Sequence, residues 1–187
     1  MNLRAEMEQA VFDVGQRHID ALLSHGVPAV ELAELGAKQA PFGVALIAVG
    51  DDGLWWPDDN GVPRLIVPCY EQGEVVDLIA LRPQDPSVWW HRTGQAAILG
   101  ADTLATCVKD RALDVVSTPL DWLASGGKAV CVLNWGAAWH DLAPLRDWPE
   151  LRVDSPMLAH AVRQALTRPF NLPAITLNLK DAYRDAA

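Results

Sequence analysis

The chain has 187 residues, half of them hydrophobic and 21% charged, a composition that supplies a packed core for one compact unit or two small ones. No apolar run reaches the roughly 18–20 residues that span a bilayer, and the start Met1-Asn2-Leu3-Arg4-Ala5-Glu6 lacks the basic segment and apolar block of a signal peptide; the expectation is a soluble cytoplasmic protein with no membrane role. The net charge of −9, from 15 basic against 24 acidic residues without a basic cluster, disfavours tight nonspecific nucleic-acid binding, which depends on Lys and Arg at phosphates, although net charge leaves room for a local basic face.

Residues 4–25 predict one amphipathic helix, because Met7, Val11, Val14, His18 or Ile19, and Leu22 recur at steps of three and four and Gly26 follows as a stop. A short helix from Ala29 to Leu35 ends at Gly36. The period then changes. Phe42 to Val49 is a continuous apolar run, and the turn signals Gly50-Asp51-Asp52-Gly53 and Asp58-Asp59-Asn60-Gly61 enclose Leu54-Trp55-Trp56. The segments 64–70 and 74–81 flank the turn Glu71-Gln72-Gly73, and Val88-Trp89-Trp90-His91 follows. Short strands between tight turns predict an antiparallel meander.

From about residue 113 strands alternate with helices. Strands are expected near 113–117, 128–134, 151–154 and 174–179, and helices over 119–125, 137–146 and 156–167. This rhythm implies a mostly parallel sheet covered on both faces. The fold class is α/β (α+β overall): residues 1–100 carry the helical N-terminus and meander, residues 101–187 the α/β unit, with the boundary inside 95–112.

Most residues of chemical interest have a plain structural role. Cys69, Cys107 and Cys131 are odd in number and far apart, so they encode neither a disulfide framework nor a zinc site. Cys69 and Cys131 read as buried small hydrophobes. His18 and His25 read as solvated or core-edge residues. Asp51, Asp52, Asp58, Asp59 and Asn60 are hairpin turn residues without EF-hand spacing. Trp55, Trp56, Trp89 and Trp90 are different. Neighbours on a strand face opposite ways, so one of each pair is expected inside and one outside. The exposed ones are candidates for a protein interface, with base stacking as the alternative.

Two strand-to-helix turns share one design. Val116-Ser117-Thr118-Pro119 ends a strand, caps a helix and begins it with proline, and Asp121 follows Thr118 at capping-box-like spacing. Asp154-Ser155-Pro156 does the same. In a parallel sheet such turns line up at the carboxyl ends of strands, where ligands bind.

The stretch from Asp114 to Leu123 resembles the opening of a Toprim domain, the topoisomerase–primase fold, whose first strand ends in a Glu-Gly-Pro-x-Asp-type turn. Ser117 and Thr118 stand where that family has Glu and Gly. Leu151-Arg152-Val153-Asp154-Ser155-Pro156 sits where the family has an Asp-x-Asp metal motif, with Pro156 in place of the second Asp. Residues 126–134 look like the second strand, running into Asn134. The tail Leu179-Lys180-Asp181-Ala182-Tyr183-Arg184-Asp185 looks like the ending of phage and plasmid primase relatives, and the hairpin from Pro63 to Val76 is similar to one upstream of Toprim there. The resemblance covers roughly residues 60–185 and implies prophage or mobile-element origin and a link to DNA replication. It also implies that Ser117, Asp121, Asn134, Asp154 and Asp181 mark a former catalytic site without catalytic or metal-binding residues of its own and without a cofactor. Metal-assisted phosphoryl transfer needs several carboxylates, and the chain lacks two of those the family supplies. The expected role is therefore binding, to a replication protein or to another copy. The alternatives are a Mg²⁺-dependent primase- or nuclease-type enzyme using Asp121, Asp154 and Asp181, and a nucleic-acid-binding accessory module.

Overall fold

The computed structural model describes residues 2–107, 109 and 111–167. The first helical stretch is two helices, α1 (Leu3–Phe12) and α2 (Gln16–Ser24), where the apolar period predicts one. The break lies at Gly15, which is extended (φ −116°, ψ 169°). Its N–H donates to His18 Nδ1 at 3.0 Å, so His18 closes a new helix start. Helix α2 stops at Gly26, in the left-handed region at φ +89°, as glycine after a helix often does. Helix α3 (Ala29–Gly36) follows.

The meander forms five strands: β1 (Gly43–Val49), β2 (Trp55–Pro57), β3 (Val62–Glu71), β4 (Glu74–Arg82) and β5 (Asp85–His91). Their order is β2-β1-β3-β4-β5, every neighbouring pair antiparallel. A bridge between Leu54 and His91 joins the two outer ends, so the sheet curls back on itself. One face packs Ile47, Trp55, Ile66, Leu78 and Ala80 against Met7 and Ala10 of α1. Gly43 permits this contact, because a Cβ there would lie 2.6 Å from that of Ala10.

The second sheet comprises β6 (Ile98–Leu99), β7 (Leu113–Val116), β8 (Val130–Val132) and β9 (Leu151–Val153), in the order β6-β8-β7-β9. Strands β8, β7 and β9 are parallel and β6 is an antiparallel edge. Helices α4 (Ala101–Thr106), α5 (Pro119–Ala124) and α6 (Trp139–Leu142) connect them, and α7 (Pro156–Leu166) follows β9. The helix expected over 137–146 is α6 followed by a 3-10 turn from Ala143 to Asp147, where Pro144 supplies no N–H. Strand β6 and helix α4 fall in the stretch read from sequence as a boundary. The strand expected at 174–179 lies outside the described residues. No helix among those described is long and apolar enough to cross a membrane.

The two sheets share a core. Leu65, Val67, Cys69, Ile79 and Leu81 on the other face of the meander pack with Leu22, Leu32 and Leu35 of the helices and with Leu120, Leu123, Cys131 and Leu133 of the second half. Asp102 of α4 adds a polar tie, accepting the N–H groups of Gln72 (2.6 Å) and Gly73 (3.2 Å) at the β3–β4 turn.

Candidate functional site

Strand β7 lies between its two parallel partners, with β8 on one side and β9 on the other. The chain therefore changes direction across the sheet at β7, and the crevice beyond its carboxyl end is where ligands bind in folds of this kind. Ser117 leaves β7 there and Asp154 leaves β9. The Ser117 hydroxyl donates to Asp154 Oδ1 at 2.6 Å, and the Ser117 N–H donates to Oδ2 at 2.9 Å. One residue thus occupies both oxygens of the carboxylate.

The caps on either side follow the sequence. Thr118 Oγ1 accepts the Asp121 N–H at 3.2 Å, and its hydroxyl donates to Asp121 Oδ2 at 2.6 Å. Ser155 Oγ accepts the Leu158 N–H at 3.2 Å. Pro119 and Pro156 each begin a helix, where a missing N–H costs nothing. Cys131 lies behind these turns: burial first, then the charges of Asp121 and Asp154, raise its thiol far above the ordinary range. Its neighbours place both carboxylates at this end of the sheet. Asn134 belongs to the next loop, where its Oδ1 accepts the Gly136 N–H at 2.9 Å. Asp181 lies outside the described residues. Ser117 and Asp154 are thus in contact, Asp121 is committed to its own helix cap, and Asn134 shapes a turn.

The acidic turns of the meander are local devices. Asp52 accepts the Leu54 N–H and Asp58 the Asn60 N–H. Strand alternation divides Trp55 from Trp56 as expected, but Trp89 and Trp90 are both half-buried, one against each face's core, so that pair does not split into an inside and an outside ring. Trp55 is 2% exposed, and its indole N–H donates to Leu78 O at 2.9 Å. It is a core residue, so its place among the interaction candidates is corrected: the curled sheet encloses it. Trp56 is 45% exposed. Trp89 is half-buried against the shared core, and the Arg64 guanidinium sits 5.4 Å from the Trp90 ring.

Asp77 of β4 is a polar centre that the sequence reading passed over. It is wholly buried. Its Oδ1 accepts the N–H groups of Leu78 (2.8 Å), Arg92 (3.0 Å) and Thr93 (2.9 Å). Its Oδ2 faces His91 Nδ1 at 2.9 Å and the Ala96 N–H at 3.3 Å. Burial alone would raise its pKa, but the hydrogen bonds from His91, Thr93 and Leu78 outweigh that and hold it below the usual carboxylate value. Arg92, next in the loop, forms two bonds to Glu6 (2.8 and 3.1 Å) and lies 5.5 Å from the Trp55 ring. The network fixes the segment that leads from one sheet to the other. Its signal is visible in the sequence: Asp77 is the lone charge inside Val75-Val76-Asp77-Leu78-Ile79-Ala80-Leu81.

No family model and no curated protein sequence matches the chain. Among solved structures the chain is similar to the DnaG catalytic core, with a TM-score of 0.57 and 12% identity, over 87% of this chain and 63% of that one. The chain thus spans less than two thirds of the DnaG core's length, and at this identity the likeness shows the fold alone. It is a primase-like arrangement of an antiparallel sheet joined to a mostly parallel one.

Proposed function

We propose that the chain is a non-catalytic Toprim-like protein of the cytoplasm that works by binding another protein, in a process related to DNA replication. The observation that carries this reading is the clasp between Ser117 and Asp154. In the resembling family two strand ends offer carboxylates to Mg²⁺; here one end offers a hydroxyl and an N–H, which bind the remaining carboxylate directly. The primase-like fold supports the ancestry. The competing reading is a Mg²⁺-dependent phosphoryl-transfer enzyme using Asp121, Asp154 and Asp181.

Titration with Mg²⁺ and Mn²⁺ separates the two readings. An ion bound only by the folded protein raises stability by about 2.7 kcal/mol at a hundred times its Kd. The wild type is expected to show no saturable thermal shift and no primer synthesis or DNA cleavage. Ser117→Glu restores the second carboxylate and is expected to gain an ion-dependent shift. Saturable stabilisation of the wild type together with turnover overturns the proposal.

A further inference from the structure

We propose that the sheet face around Trp56 is a docking surface for a basic, apolar-bearing segment of another protein. This rests on the binding role above and names its surface and partner chemistry. The register pairs Ala48 with Trp56 and Leu46 with Pro63, and alternation along β1 puts Leu46 and Ala48 on the same side. Trp56, Ala48, Leu46 and Pro63 therefore form one apolar strip across three adjacent strands. Trp56 is 45% and Leu46 44% exposed. The Trp56 ring lies over Gly50, where a Cβ would come within 3.1 Å of its Cζ3. Tryptophan is one of the side chains enriched among the anchors of protein interfaces.

The charge around the strip selects the partner. Asp51 and Asp52 lie in the turn before β2, where a Cβ on Gly50 would meet both Asp52 Oδ1 at 2.7 Å and the Trp56 ring; Asp58 and Asp59, after β2, line a cleft beside α1 that Leu46 of the strip also borders. None of the four is in an ion pair among the described residues. Asp52 and Asp58 use one oxygen each for a turn N–H, which leaves their charge uncompensated. A second copy docked through the same face would set carboxylates against carboxylates, and a nucleic acid would bring phosphates to them. A segment with Lys or Arg beside apolar side chains satisfies both the strip and its rim.

The test uses the full chain and a fluorescent peptide of alternating Lys and Leu, with the same peptide carrying Glu for Lys and a single-stranded oligonucleotide as comparisons, read by anisotropy at low and physiological salt. The Lys peptide is expected to bind saturably and more weakly as salt rises. Trp56→Ala is expected to weaken it about tenfold or more, the range of an interface anchor. The combined Asp51→Asn, Asp52→Asn, Asp58→Asn and Asp59→Asn variant keeps the turn acceptors, removes the charge and is expected to lose the salt dependence. Circular dichroism confirms that each variant folds. Equal binding of the Glu peptide, unchanged binding in both variants, Trp56-dependent dimerisation in sedimentation, or Trp56-dependent binding of the oligonucleotide each overturns the proposal. Metal-dependent turnover with peptide binding intact would instead sink the non-catalytic reading and leave this surface standing.

Discussion

Removing the Asp77 carboxylate tests whether the link between the two sheets hangs on one buried side chain. In Asp77→Ala the Arg92 N–H keeps a partner, since it also donates to Leu78 O at 2.9 Å. The N–H groups of Leu78, Thr93 and Ala96 lose theirs. A buried donor left without a partner costs about 1–3 kcal/mol, so three of them, after partial relaxation, destabilise by about 3–5 kcal/mol. That is a large share of the roughly 5–15 kcal/mol of a typical domain. Asp77→Asn keeps one oxygen and should fall between, at about 1–3 kcal/mol for a single orphaned donor. Urea unfolding at pH 7, followed by circular dichroism, should show the order wild type, Asn, Ala. Acidification adds a second check. The folded pKa of Asp77 is depressed, so its contribution is present above the unfolded value of roughly 4 and is lost as pH falls through the folded value. The gap between wild type and Asp77→Ala should therefore narrow below about pH 4. An Ala variant within about 1 kcal/mol of wild type at pH 7, less than one orphaned donor's usual cost, would refute the reasoning.

Gly43→Ala forces α1 away from β1, because its Cβ would meet Ala10 at 2.6 Å; a loss of about 1–3 kcal/mol is expected from overpacking, measured by urea unfolding. Asp102→Ala frees the Gln72 and Gly73 N–H groups. Hydrogen exchange should accelerate at those two amides while β7 and β8 stay protected, with a stability loss of about 1 kcal/mol.

The elements set by period and punctuation were legible. Turn signals at Gly50-Asp51-Asp52-Gly53 and Glu71-Gln72-Gly73 fixed the hairpins, and the two cap-Pro turns fixed α5 and α7 and put Ser117 and Asp154 at neighbouring strand ends. Contacts between distant segments were not legible. The break at Gly15 depends on an extended backbone and a histidine acceptor, which spacing does not encode. Strand β6 has two residues, too few for any period to register, and exists because β8 offers an edge. Trp55 and Trp56 were read correctly as a divided pair, but which ring goes inside depends on the curl that brings Leu54 to His91. Asp77 was missed because a single acid in an apolar strand reads as an interruption until the loop that satisfies it is in place.

On the non-catalytic reading proposed above, the turn after β9 suggests how a frame of this kind could outlast its chemistry. On that reading, Pro156 stands where the resembling family has its second metal-binding Asp, and Ser155 lies beside it. The strand ends that hold ligands are also helix starts, so the residues there answer to two demands. Carboxylates clustered without a cation repel one another, whereas Ser at a cap and Pro in the first turn support the helix whatever is bound. A Ser or Thr cap contributes about 0.5–2 kcal/mol relative to Ala. Both caps are made in full, by Thr118 to Asp121 and by Ser155 to Leu158, and Ser117 binds Asp154 across the gap. On the same reading, the two residues that replace ligands, Ser117 in the clasp and Pro156 in the first helical turn, each remove repulsion and suit the local fold. A Ser117→Glu protein assayed without added metal should then be less stable than wild type, because it loses the 2.6 Å hydroxyl bond and sets a second carboxylate beside Asp154. Thermal unfolding in EDTA measures this, with a loss of about 1–2 kcal/mol expected from one charge-assisted hydrogen bond and one like-charge contact. A Glu variant as stable as wild type in EDTA would show that the clasp does not contribute to holding these strand ends together.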